Sequence, residues 1–357
     1  MVAYLGYLAL AGIQSLFFYA KDKRGKVHFK SKTYLILCCI ELILFAGLRA
    51  YNIGADMDIY LLAIDVYGEM PILEMLKAPL RYPFDFEIGY FIFTKFAILL
   101  GLGKTGFLFL VAIVTYVPIF MAIYKKSQDP FLSILTYFSF GLFSYSLGLF
   151  RQMIAISIVL CGRKYILKRE GLKFCLFVAL AMLFHTTAII SLLLYFLYGI
   201  NWKKLIWIVI PAEILLLVFG RLVVDFAFIL FPKYSNLIGG QYDVKGGSYL
   251  MLLFINVVLF ACVYFTEKDR FRDRLTICAL ILAGMLQALG YSMAIFGRIV
   301  PYFSTFIIFA IPDLVKCIKK KWRSLVYIAT VVFLFALVVK EFYGNIYLTP
   351  YALFFME

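Results

Sequence analysis

Stretches of about twenty apolar residues, each ended by a short polar or basic patch, recur along this chain from residue 2 to residue 340. At 1.5 Å per residue, a helix of that length matches the roughly 30 Å hydrocarbon core of a bilayer. A segment inside that core must satisfy its own backbone polar groups, which favours helices over open strands. Composition agrees: 64% of the 357 residues are hydrophobic and 15% are charged, and the mean hydropathy is +0.96, whereas a soluble domain is roughly 45–50% apolar. The expected fold class is all-α, a polytopic transmembrane helical bundle that forms one integral membrane domain over residues 1–357.

The net charge of +15 does not point to nucleic acid. The basic residues sit in clusters between apolar runs, where positive charge marks the cytoplasmic side. The strongest clusters are 21–32, 163–173, 268–274 and 316–323, joined by the pairs Lys125/Lys126 and Lys203/Lys204. Placing all of them inside predicts twelve spans near 2–20, 33–48, 105–124, 130–149, 151–167, 172–185, 186–200, 205–221, 248–265, 275–291, 298–315 and 324–340, with both termini external. The inside segments then hold 24 of the 35 Lys and Arg residues. Val2 to Ala20 lacks a preceding basic segment and a small-residue cleavage site, so it is read as a retained span rather than a signal peptide. The short segment 88–100, which contains Lys95, would invert every later loop if it crossed; it is read as a re-entrant or half-inserted helix. The seven cysteines show neither metal spacing nor a disulfide pattern.

Two long external loops are expected, about 49–87 and 222–247. The first carries the carboxylates Asp56, Asp58, Asp65, Glu69, Glu74, Asp85 and Glu87. In the second, RLVVDFAFILFP reads as an interfacial segment and IGGQYDVKGG as a turn region.

In such a chain the informative residues are polar ones at span ends, because a charge in hydrocarbon is costly and implies a partner or a function. Arg49, Arg151 with Gln152, His185, and Arg298 all fall at predicted external ends. Three arginines suit a diphosphate, since guanidinium is permanently charged and grips phosphate oxygens in a fork; each also admits snorkelling or pairing with a carboxylate. His185 suits a general base or a hydrogen-bond donor, or a satisfied structural histidine. Asp56 and Asp58 read either as a general base or a sugar-binding carboxylate, or as a solvated acidic loop with a Gly-assisted turn, and Glu87 as a substrate contact or a helix cap. Nucleotide-binding loops, zinc-protease motifs, serine elbows and metal-ligand clusters are missing from the sequence, and no cofactor or metal is expected. Glu41, Glu213 and Asp313 lie within or near spans and suggest a proton path.

Taken in order, these features resemble the EpsG family of bacterial membrane proteins, Wzy-like polymerases of exopolysaccharide and capsule. The family's Arg followed by Gly-Thr-Asp-Tyr-x-x-Tyr is similar to Arg49 with Gly54, Ala55, Asp56, Met57 and Tyr60, and its Glu-x-Gly-Tyr to Glu87, Gly89 and Tyr90. Its Asn-x-x-Arg-Gln helix start resembles Gly148, Arg151 and Gln152; its Phe-His-x-x-Ala resembles Phe184, His185 and Ala188; its late Arg-x-x-x-Tyr resembles Arg298 and Tyr302; and its aromatic tail resembles Pro350, Tyr351 and Phe354. Ala55, Met57 and Gly148 stand where the family usually has Thr, Tyr and Asn, so two hydroxyls and an amide are missing from the expected sugar contacts.

The resemblance implies polymerisation of undecaprenyl-diphosphate-linked oligosaccharide repeats on the outer face of the bacterial cytoplasmic (inner) membrane, among membrane lipids, with flippase and chain-length regulator proteins as partners. In that scheme Arg49, Arg151 and Arg298 bind the diphosphate. His185 or Asp56 handles the acceptor hydroxyl, and Gln152, Asp58, Tyr60, Glu87 and Tyr302 contact substrate. Rival expectations are a polysaccharide flippase or exporter, a membrane glycan acyltransferase, and an assembly partner without activity.

Overall fold

In the computed structural model, residues 1–21, 27–29, 31–71, 84, 86–230, 239–240 and 243–356 are described. Glu74, Asp85 and parts of the 21–32 cluster and of the 222–247 loop lie outside these residues. The described chain is helical apart from a two-stranded antiparallel hairpin, β1 (Tyr19–Lys21) with β2 (Val27–Phe29). It divides into two compact units, one comprising 1–163, 175–189 and 320–357, the other 164–174 and 190–319.

The first unit contains α1 (Val2–Phe17), α2 (Ser31–Gly47), α3 (Met57–Glu69), α4 (Ile88–Leu99), α5 (Gly103–Lys126), α6 (Pro130–Ser139), α7 (Leu142–Gly148), most of α8 (Phe150–Leu167) and of α9 (Gly171–Met182), and α17 (Lys320–Phe342). Asp129 starts α6 by accepting from the Leu132 N–H at 3.0 Å, with Pro130 in the first turn, where a missing N–H costs nothing. Gly141, at φ +68°, separates α6 from α7 at a 61° bend. In this unit α2 packs along α5, α17 along α6, and α4 against both α3 and α5.

The second unit contains the remainder of α8 and α9, α10 (Leu192–Tyr198) after a 3-10 turn, α11 (Trp202–Leu230), α12 (Tyr249–Glu267), α13 (Arg274–Gly290), α14 (Ile295–Ile299), α15 (Pro301–Ser304) and α16 (Ile307–Cys317). Most of α13 is buried, as befits a helix apolar on all sides. It packs against α10, α11, α12 and the α14–α16 segment. Ser248 and Asp273 cap α12 and α13 through the N–H groups of Met251 and Thr276.

Helix occurs at each of the twelve expected positions, yet among the described residues four helices are long and apolar enough to cross a membrane: Gly103–Lys126, Leu205–Phe226, Tyr249–Glu267 and Lys320–Phe342. Two bent pairs, Pro130–Ser139 with Leu142–Gly148 and Ile295–Ser304 with Ile307–Cys317, raise the number to six. Boundaries also shift. The first helix stops at Phe17 because the chain turns into the hairpin, and the run from Arg221 to Leu230 continues α11 instead of forming a separate interfacial segment. The 186–200 stretch begins as the 3-10 turn Thr186–Ser191.

The ambiguous 88–100 segment is the 12-residue α4, about 18 Å long and short of a bilayer core. Gly101 and Gly103, both at positive φ, turn the chain from α4 into α5. Lys95 has a local purpose. Its Nζ donates to the carbonyls of Tyr67 at 2.7 Å and Met70 at 2.8 Å, satisfying backbone acceptors at the end of α3.

Candidate active site

Glu87 organises the site in the first unit. Although it precedes α4, its side chain does not cap that helix. One oxygen, Oε2, accepts from Arg151 Nη1 at 2.5 Å. The other, Oε1, accepts from the Thr186 N–H at 2.9 Å and the Thr186 hydroxyl at 3.1 Å, and lies 3.1 Å from His185 Nδ1. The carboxylate is 10% exposed, against 21% for the Arg151 side chain and 23% for His185. One nearly buried anion thus holds two half-buried groups that still reach solvent.

The carboxyl titrates accordingly. Burial by itself raises its pKa, but the His185 hydrogen bond, the Arg151 charge and the Thr186 N–H together outweigh that and lower it from 4.5 to about 2. Glu87 is therefore ionised at neutral pH. When His185 Nδ1–H donates to it, Nε2 becomes the acceptor, and Nε2 has no protein partner among the described residues.

Three elements converge here because backbones approach closely. The Gly89 N–H donates to the Leu183 carbonyl at 2.8 Å, and a Cβ on residue 89 would lie 2.6 Å from both that oxygen and Leu183 Cβ. Glycine thereby brings the start of α4 onto the turn after α9, next to His185 and Thr186. Arg151, in the first turn of α8, stacks its guanidinium over Phe86 at 4.4 Å. Tyr60 packs its ring on Phe150 at 4.6 Å and neighbours Arg151. Tyr60, Phe86, Tyr90 and Phe150 belong to one buried cluster that walls the site.

Arg49 is placed differently from the expected diphosphate ligand. It is 2% exposed. Its Nε donates to the Ile53 carbonyl at 3.1 Å, one Nη to Ala46 O, and the other to Leu147 O at 3.1 Å. The guanidinium is turned inward because two helix ends and a loop point carbonyls at it, and these donors satisfy them. The adjacent backbone binds the C-terminal segment: the Ala50 N–H donates to Ala352 O, the Phe354 N–H to Leu48 O, and the Gly54 N–H to Tyr347 O.

Gly54, at φ +127°, abuts the Leu147 carbonyl with no room for a Cβ, and a Cβ on Gly148 would lie 2.6 Å from the Ala55 nitrogen. The unusual Ala55 and Gly148 are thus in mutual contact, small residue against small residue. Asp56 follows as the half-buried first residue before α3, and its carboxylate makes no hydrogen bond among the described residues; it lies near enough to Tyr60 to act on that hydroxyl. Asp58 is exposed in the first turn of α3, and Gln152 is buried in α8.

Arg298 and Tyr302 belong to the second unit. Arg298 is exposed on α14, and Tyr302 is 1% exposed on α15. The structure therefore gathers Glu87, Arg151, His185 and Tyr60 in one place. Thr186 and Gly89 are not among the functional residues expected from the sequence, which gives Glu87 a contact or capping role rather than the central one. The adjacency of Thr186 to His185, and the Gly two residues after Glu87, were the available signals. No group of three or more His, Cys, Asp or Glu side chains able to hold a metal occurs among the described residues.

A family model described as the EpsG family matches residues 32–353. No curated protein matches the chain, and no solved structure does.

Proposed function

This chain belongs to the EpsG family, a membrane family of polysaccharide biosynthesis, and from that premise we propose that it is a lipid-linked oligosaccharide polymerase. The observation that carries the reading is the division of the Glu87 carboxylate between Arg151 on one oxygen and His185 with Thr186 on the other. That arrangement sets a permanent cation and an oriented imidazole side by side at the wet edge of a helical unit.

In this reading the twelve helical segments cross the bacterial cytoplasmic membrane with both termini external, and the site faces outward. The growing glycan is held on undecaprenyl diphosphate, and an incoming lipid-linked repeat supplies a sugar hydroxyl. The hydroxyl oxygen attacks the anomeric carbon of the growing chain, forming the new glycosidic bond as the bond from that carbon to the diphosphate breaks. His185 Nε2 takes the hydroxyl proton, with Nδ1–H held by Glu87. Arg151 neutralises the charge that develops on the departing undecaprenyl diphosphate. Asp56, whose carboxylate makes no hydrogen bond among the described residues, contacts the sugars together with Asp58, Tyr60 and Gln152. Arg49 has a different part: it fixes the loop that carries Asp56. Flippase and chain-length regulator proteins would supply and limit this reaction.

The test is a gel of cellular glycans from a deletion strain complemented with wild type, His185→Gln or Arg151→Gln, each confirmed in the membrane at equal abundance. Wild type is expected to restore a ladder of long chains, and the variants to leave single lipid-linked repeats. Long chains persisting in the deletion strain, or a normal ladder from both variants, would remove the proposal.

A further inference from the structure

In the second unit the Glu213 carboxyl lies inside apolar packing, and no cation among the described residues balances it. Glu213 is 3% exposed and sits near the middle of the candidate span Leu205–Phe226 of α11. Its Oε2 accepts from Asn256 Nδ2 at 2.7 Å, and Asn256, also buried, sits near the middle of α12. The same Nδ2 also donates to the Leu252 carbonyl at 3.1 Å. Both amide hydrogens are thereby used, which fixes the amide orientation and leaves Oδ1 as its remaining polar atom.

Glu213 Oε1 and Asn256 Oδ1, one on each member of this pair, are both buried acceptors with no hydrogen-bond partner among the described residues. The neighbouring α13 is shaped around the first of them, since a Cβ on Gly284 would collide with Oε1. Among the described side chains, the other charged residues on the helices packed here are Lys203, Arg221 and Asp225 on α11, Glu267 on α12, Arg274 on α13, Arg298 on α14, and Asp313 and Lys316 on α16. None of them acts on Glu213, whose surroundings reduce to apolar burial and the Asn256 amide.

An ionised carboxylate only accepts hydrogen bonds, so as an anion this pair leaves both acceptors unmet by any described residue, and a buried charge without a partner is unfavourable. A carboxylic acid has one donor, and Asn256 Oδ1 is the unmet acceptor on the group already bonded to the other oxygen. We propose that Glu213 is a proton-binding site of the second unit, taking a single proton onto Oε1 and holding it against Asn256 Oδ1. The acid and the amide then bond through Oε2 to Nδ2–H and through Oε1–H to Oδ1, and every polar atom of the pair is satisfied. Protonation converts carboxylate and proton to neutral acid with no other change. Two side-chain acceptors are too few to replace the hydration shell of a metal cation, which takes six or more oxygens around calcium, for example. Loss of the proton would set an anion against the amide oxygen and loosen α11 from α13 at Gly284, so proton occupancy and the packing of these helices are linked. The proposal does not depend on the polymerase reading.

The test uses infrared spectroscopy of the full chain in lipid nanodiscs at neutral pH, in water and in heavy water. A carboxylic-acid C=O band that shifts on deuteration is expected in wild type. Glu213→Gln should remove it, Glu41→Gln should keep it, and Asn256→Ala should move it to the higher frequency of an acid lacking its amide partner. Thermal unfolding supplies a second reading that survives a silent spectrum. A glutamine at 213 can donate to Asn256 Oδ1 as the acid does, so Glu213→Gln should unfold at the wild-type temperature and Glu213→Ala below it. A carboxylate band, rather than an acid band, lost in Glu213→Gln would overturn the proposal; so would Glu213→Gln destabilised as much as Glu213→Ala.

Discussion

Gly89 and Leu183 touch backbone to backbone: the Gly89 N–H donates to the Leu183 carbonyl at 2.8 Å, and a Cβ at 89 would sit 2.6 Å from that oxygen. This contact lays the start of α4 against the turn that follows α9, and so places Glu87 within reach of His185 and Thr186. Gly89→Ala is expected to push the two segments apart, with an overpacking cost of about 1–3 kcal/mol. Glycan ladder length should collapse in cells, and the unfolding temperature of the purified protein should fall.

Glu87→Gln removes the charge that balances Arg151 while keeping the shape of the side chain. Hydrogen bonds to charged groups contribute about 1.5–3 kcal/mol each, and Arg151 is partly exposed, so a loss near the lower end of that range is expected in thermal or denaturant unfolding. Activity should fall by at least about tenfold, since that needs only ~1.4 kcal/mol in the transition state. A variant with wild-type chain length would show that Glu87 does not position the site.

The pH dependence of stability follows from the same carboxylate. Its folded pKa, about 2, lies below its ordinary value of 4.5. Its contribution is therefore fully present above about pH 4.5 and is lost as pH falls toward about 2. The difference in unfolding temperature between wild type and Glu87→Gln should shrink as pH falls from about 4.5 toward about 2. A difference that stays constant across that window would contradict the lowered pKa.

Arg49 and Arg151 should fail in different ways. Arg49 is internal and donates to the carbonyls of Ala46, Ile53 and Leu147; a lysine cannot span them with one nitrogen. Arg49→Lys is expected to lower stability by about 1.5–3 kcal/mol, with activity falling in proportion to folded protein. Arg151→Lys keeps a cation beside Glu87, so its folded fraction should stay near wild type while its rate per folded molecule drops. Parallel measurement of unfolding temperature and chain-length distribution separates the two.

Gly54→Ala tests the seam between the Asp56 loop and the end of α7. The residue has φ +127° and no space toward the Leu147 carbonyl. Alanine there should destabilise the fold by more than about 1 kcal/mol, and Gly148→Ala should do the same against the Ala55 nitrogen. Limited proteolysis within residues 49–87 should accelerate in both variants relative to wild type.

The sequence by itself determined the class of this protein. Apolar runs of bilayer length separated by basic clusters require helices in a membrane, because backbone polar groups have no other partners there. It also nominated His185, Arg151 and Asp56, since polar residues at the ends of apolar runs are few. Partner choice was not legible. Arg49 and Arg151 are chemically identical and occupy equivalent sequence contexts, yet one is sealed against backbone carbonyls and the other faces a carboxylate 64 positions away. Glu87 read as a helix cap because capping is a local interaction, whereas its bonds to His185 and Thr186 span 98 and 99 positions. Hydropathy reports that a residue is buried or at an interface; which atoms meet is decided by close backbone contacts such as Gly89 on Leu183 and Gly54 on Leu147, and those exist only once the helices have packed.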